Sequence, residues 1–132
     1  MRKKEWLIKI DEDKKRLFAS RNTEHLSSYV MTIDDIEYEM SKGKDRKIIE
    51  IAGINQECLE YFVDNYGAEY EYIYFHMPKV KNFNSLEKLA NLQGVTISGA
   101  TKSESLWDMS NNKKIWYLHI VDSKLLIYNP TF

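Results

Sequence analysis

The chain has little of what secreted, membrane-bound or nucleic-acid-binding proteins rely on. Among its 132 residues there is one cysteine, Cys58, so no internal disulfide framework can form. Beside Leu59 in an apolar, helix-like segment, that thiol reads as buried rather than nucleophilic. Prolines number two and glycines five, too few for a Pro/Gly-rich linker or a disordered tract. No apolar run approaches the roughly 18 residues that a membrane span needs. The opening Met1-Arg-Lys-Lys-Glu-Trp lacks the apolar stretch and cleavage site of a signal peptide, so a cytoplasmic protein is expected. Nineteen basic residues against twenty acidic ones leave a net charge of -1, without the basic excess that phosphate neutralisation would require. The lysine-rich patches at positions 2–4, 14–16 and 42–47 are interrupted or flanked by acids and read as solvated loops.

Chemical fingerprints are missing as well. There is no P-loop, no dinucleotide-binding glycine pattern and no G-x-S-x-G elbow. Asp11-Glu12-Asp13 and Asp34-Asp35 are clusters of adjacent acids, and neither has the alternating ligands, Gly and terminal Glu of a calcium loop. No catalytic residue, no metal site and no cofactor are expected.

What the chain does have is a period. Apolar-x-apolar triplets recur as Ile49-Glu50-Ile51, Ile73-Tyr74-Phe75, Val95-Thr96-Ile97 and Leu118-His119-Ile120. Their first residues, at positions 49, 73, 95 and 118, follow one another at intervals of 24, 22 and 23. Each triplet is β-branched, leucine or aromatic at alternate positions, as strands are. A turn follows each one, at Ala52–Asn55, His76–Pro78, Ser98–Ala100 and Val121–Ser123. Helical spacing comes next. Leu59, Phe62, Val63 and Tyr66 predict a helix with Gly67 as its C-terminal cap. Phe83, Leu86 and Leu89, behind Asn84 or Ser85 as N-cap, predict a second, and Leu106 with Met109 a shorter third.

Leu92-x-x-Val95-x-Ile97 and Ile115-x-x-Leu118-x-Ile120 resemble the opening of a leucine-rich repeat, and the step of 22 to 24 is similar to the internalin-type repeats of bacteria. Ile54-Asn55-Gln56 with Glu60-Tyr61-Phe62, Asn82 to Leu86 and Leu106 to Met109 also look like segments of small bacterial leucine-rich-repeat proteins. The likeness covers about residues 46 to 132. Ile54, Pro78, Ala100 and Ser123 stand where that family carries the Asn that ties successive turns together. The fold it implies is an α/β repeat: a short leucine-rich-repeat-like solenoid of parallel strands and short helices. About four such units would occupy residues 47–132, enough to bury a continuous core.

Residues 1–46 are expected to form a β-rich N-terminal cap. Its strands would be Trp6–Ile10, Arg16–Ser20, Tyr29–Ile33 and the alternating Ile36, Tyr38, Met40. At the other end, Leu125 to Tyr128 is apolar and no polar terminal unit follows. Tyr128 and Phe132 fold back as a lid, or the last strand pairs with another copy in a homodimer, or the chain is part of a longer array.

Strand alternation sends the residues between the apolar pairs to a shared outer surface. Glu50, Tyr74, Thr96 and His119 would form one column, Ile48, Tyr72, Gly94 and Tyr117 a second, and Ala52, His76, Ser98 and Val121 a third. The partner-contacting residues expected are therefore Tyr72, Tyr74, His76, Tyr117, His119 and Glu50, with Trp116 nearby. Tyrosine and tryptophan dominate interface energies because each joins a large apolar body to a polar handle. His76 and His119 fall two strands apart, too far to share a metal, and Trp107 reads as core. The function expected is a non-enzymatic protein-binding module, in the manner of an immunity or inhibitor protein. The alternative is a small α/β domain with a ligand or enzymatic pocket lined by Glu50, His76 or His119.

Overall fold

A computed structural model describes residues 15–18, 31–42, 47–123 and 125. The four predicted strands form at the predicted step: β2 (Ile48–Ala52), β3 (Tyr72–His76), β4 (Gly94–Ser98) and β5 (Tyr117–Val121). With β1 (Lys15–Phe18) they make one all-parallel sheet in the order β1-β2-β3-β4-β5. Every strand therefore lies beside the one before it in the chain. Ile49, Ile73, Val95 and Leu118 stand side by side, as do Ile51, Phe75, Ile97 and Ile120. The mixed α/β class and the parallel sheet are as expected.

Six of those eight side chains, from Ile49 to Ile97, are fully buried against Leu59, Phe62, Phe83, Leu86 and Trp107. The connecting segments supply that second layer. Asn55 caps helix α2 (Gln56–Asn65) by accepting the Cys58 N–H at 2.9 Å, and Tyr66 ends it. Gly67 follows at the C-terminus as expected, but for a different reason: a Cβ there would come within 3.0 Å of the Leu89 side chain. The second connection shrinks to a 3-10 turn, Asn84–Lys88, led in by Phe83. In the third, Leu106 and Trp107 are buried without a helix around them.

The expectation for the first 46 residues needs correction. Ile36, Tyr38 and Met40 lie in a helix, α1 (Ile33–Met40). A capping box decides it: Thr32 Oγ1 accepts the Asp35 N–H at 3.3 Å, and the Thr32 N–H returns to Asp35 Oδ2 at 2.9 Å. The apparent alternation is overridden by Ile33, Ile36 and Met40, which share one helix face. The strand expected at Arg16–Ser20 appears one residue earlier, and it joins the main sheet rather than a separate cap. Trp6–Ile10, Tyr29, Val30, Tyr128 and Phe132 lie outside the described residues.

The turns after β2 to β5 share a backbone device. One residue in the left-handed region follows each of β2 to β5: Gly53 at φ 74°, Met77 at 46°, Gly99 at 73° and Asp122 at 48°. Glycine adopts this conformation freely, and aspartate tolerates it through its short polar side chain. The reversal aims each N–H at the next unit. Gly53 N donates to His76 O at 3.0 Å, Met77 N to Ser98 O at 2.7 Å and Gly99 N to Val121 O at 3.0 Å.

Side chains stitch the connecting segments to one another. Asn112, buried, donates to the Leu86 and Leu89 carbonyls at 2.9 and 3.0 Å and accepts the Trp107 indole N–H at 2.9 Å. Gln56 Oε1 takes the Lys81 N–H at 2.9 Å, and the buried Ser103 hydroxyl donates to Val80 O at 2.5 Å.

Helix α1 is tied to α2 through a carboxylate. The Tyr61 and Tyr66 hydroxyls both donate to Glu37, Tyr66 at 2.6 Å. The Tyr61 bond first, and the Tyr66 bond second, hold the Glu37 carboxyl below its ordinary value of 4.5. A depressed acid contributes stability above its unfolded value and loses it as pH falls through the folded one. The stability advantage of wild type over Glu37→Gln should therefore be full near neutrality and shrink below about pH 4.5, in urea titrations run from pH 7 to pH 3. An advantage that does not change with pH would remove the carboxylate from the joint.

Candidate functional site

Because β2 to β5 pair without a bulge, the three outward columns run straight across the sheet. Glu50, Tyr74, Thr96 and His119 form the middle column, on strands ~4.8 Å apart. Ile48, Tyr72, Gly94 and Tyr117 form the column at the strand starts, and Ala52, His76, Ser98 and Val121 the one at the strand ends.

Position on the face is not the same as access to it. His76 and His119 are exposed, and Glu50, Tyr74 and Tyr117 are half-buried. Tyr72, by contrast, keeps only 3% of its surface. It packs with Ile48, Tyr74 and Tyr117 in a small cluster of its own on the outer side of the sheet. Gly94 explains the closure. It stands between Tyr72 and Tyr117 with no side chain, and the two rings meet above it at 6.3 Å although a strand separates them. The Tyr72 hydroxyl turns to Thr96 Oγ1. Burial raises its pKa, against the opposing effect of that bond. Tyr72 is thus the floor of the face and not one of its free contacts.

Around that floor the rings are in touch. Tyr117 meets Trp116 at 6.0 Å and His119 at 6.2 Å, and Tyr74 meets His76 at 6.4 Å. Trp116 is 45% exposed, and its indole N–H reaches Gln93 Oε1 at 3.4 Å. Gln93 in turn donates to Glu71 at 2.6 Å, so the residues just before β3, β4 and β5 form a polar rail along one rim. At the other rim stand His76 and the exposed Met77. Sequence reasoning placed Trp116 near the face but passed over Met77, Glu71 and Gln93. The signal for Met77 was there: it occupies the turn position that Gly53 and Gly99 hold in neighbouring units.

Two cavities lie elsewhere. One of about 420 Å³ is bounded by Met31, Thr32, Asn55 and Cys58, and one of about 280 Å³ by Glu60, Asn82, Ser85 and Lys88. Both sit on the helix side, and neither touches Glu50, His76 or His119. Cys58 is buried, its thiol donating to Met31 O at 3.3 Å, and burial pushes it up to about 11, far from a reactive thiolate. Among the described residues no group of three or more His, Cys, Asp or Glu could hold a metal ion. No helix of the described residues is long and apolar enough to cross a membrane.

No family model, curated protein or solved structure matches the chain.

Proposed function

We propose that the chain is a short leucine-rich-repeat-like solenoid that binds another protein on its outward strand face, without catalysis. The observation that carries this reading is the outer face itself. Four strands in register bring Tyr74, His76, Tyr117 and His119 onto one surface, with Trp116 at its rim. Such a surface offers large rings with polar ends on a backbone already fixed by hydrogen bonds, so little entropy is lost on docking. The buried Tyr72 belongs to it as support. An immunity or inhibitor role is the most concrete form of the proposal, by analogy with other lone repeat proteins. A small-ligand or enzymatic domain would instead need an enclosed cavity against Glu50, His76 or His119, and the two cavities described lie on the helix side.

The test is a capture experiment from the native host. Tyr74→Ala with His119→Ala should lose whatever protein the wild type retains. Because His119 is exposed and Tyr74 half-buried, the cost in stability should stay near 1 kcal/mol, since surface changes seldom exceed ~0.5 kcal/mol each. Retention of the same protein by the double variant, at unchanged stability, would sink the face as the docking site.

A further inference from the structure

We infer that the cavity between α2 and the second connection receives a guanidinium group, the side chain of an arginine in another polypeptide. This site lies on the helix side and does not depend on the binding reading above.

Its walls come from two consecutive units. Glu60 stands on α2, and Asn82, Asn84, Ser85, Glu87 and Lys88 belong to the second connection, around a volume of about 280 Å³. Glu60, Asn84, Glu87 and Lys88 are exposed, so the cavity opens at the surface. Gln56, Glu60 and Asp64 follow one another at four-residue steps and share one face of α2. The first and last of them tie that face to the second connection. Gln56 Oε1 accepts the Lys81 and Asn82 N–H groups at 2.9 and 3.2 Å, and its Nε2 donates to Glu60 Oε2 at 2.9 Å. Lys88 Nζ reaches Asp64 Oδ1 at 3.0 Å. The two walls are therefore held at a set separation, which lowers the entropy lost when a ligand enters.

Two observations point to an occupant. Ser85 keeps only 9% of its surface, and its hydroxyl oxygen is covered without a hydrogen-bond partner. Buried hydroxyls are normally paired, and this residue belongs to the cavity wall. Serine has a single side-chain torsion, so its hydroxyl can turn to an occupant without a backbone shift. The second observation is charge. Lys88 is committed to Asp64, and among the described residues no cation pairs with Glu60 or Glu87.

The wall chemistry selects the ligand. An anion would meet two carboxylates and no spare cation. No aromatic ring lines the cavity to stack on a sugar or a base. A metal ion finds too few ligands, since no group of three or more His, Cys, Asp or Glu among the described residues could hold one. A guanidinium brings five N–H donors in a planar fork, and a carboxylate can take two of them at once. The acceptors available are the carboxylates of Glu60 and Glu87, the Asn84 amide oxygen and the Ser85 hydroxyl. A lysine ammonium offers three donors from a single point and fills such a set less completely. Free arginine fits worse than an arginine residue, because its own carboxylate would enter among carboxylates.

Calorimetric titration of the full chain with N-acetylarginine methylamide tests this. A Kd of roughly 1 mM is expected. N-acetyllysine methylamide and free arginine should each bind at least about tenfold more weakly. Glu87→Gln should weaken binding about tenfold, and Glu60→Gln with Glu87→Gln should abolish it. Ser85→Ala should weaken binding several-fold yet leave the urea midpoint unchanged or higher, because it removes a hydroxyl that has no partner within the protein. The inference is overturned by no binding at ~10 mM probe, or by binding that survives both glutamine substitutions. Equal affinity for the lysine probe overturns the guanidinium, and tighter binding of free arginine overturns the polypeptide source.

Discussion

Replacing Asn112 by alanine should cost about 3 kcal/mol of folding stability, a large share of what a domain of this size commands. The side chain is buried and makes three hydrogen bonds, one to the Leu86 carbonyl in the 3-10 turn, one to the Leu89 carbonyl that caps it and one from the Trp107 indole. The carbonyls of Leu86 and Leu89 each keep a backbone partner, Leu89 N and Leu92 N, so each loses one bond of roughly 1 kcal/mol. The indole N–H keeps none and bears the full cost of a buried, unpaired donor, about 1–2 kcal/mol. Urea titration of wild type and Asn112→Ala at neutral pH gives the difference directly. A loss under about 1 kcal/mol would mean that water enters and replaces the amide. Trp107→Phe on both backgrounds adds a check: with Asn112 gone, deleting the indole N–H should cost less than it does in wild type.

Phe83→Ala should be of similar or greater size, about 3–5 kcal/mol, the usual range for removing a buried ring. Phe83 is fully buried, edge-on to Phe75 at 5.3 Å and tilted against Trp107 at 6.5 Å. It joins the sheet to the third connection, which has no helix to hold it. A void there would touch β3 and the Trp107–Asn112 pair together. The melting temperature should therefore fall more for Phe83→Ala than for Phe83→Leu. Equal values would show that the surroundings collapse into the gap.

The step of 22 to 24 residues located β2 to β5 and set their register, because a two-residue alternation fixed on one apolar pair per unit permits only one facing. Access was harder to read. Tyr72 and Tyr74 look alike along the strand, and what separates them is the neighbour in the next strand, Gly94 in one case and Thr96 in the other. The glycine leaves a gap that two tyrosines close, a cross-strand effect that the chain order of one strand does not show. Helix α1 departs from the expected strand for the opposite reason. Alternating Ile36, Tyr38 and Met40 suggested a strand, while Thr32 and Asp35, three residues apart, already carried the capping signature that decides the matter. In the third connection the periodicity at Leu106 and Met109 was too short to nucleate a turn of helix. There Asn112 organises the backbone, through partners 23 and 26 residues away that no local pattern reveals.

The left-handed residues that close the strands have a bearing on how such a chain can change. They fasten consecutive units at one corner only, N–H to carbonyl, and ask nothing of the segment that follows except a return to the start of the next strand. The intervening lengths already differ, and one return is a ten-residue helix while another contains no helix. A unit could therefore be gained, lost or lengthened on the helical side while the tyrosines and histidines across the sheet keep their alignment. Change in the outer strand face and change in the connecting segments can proceed separately.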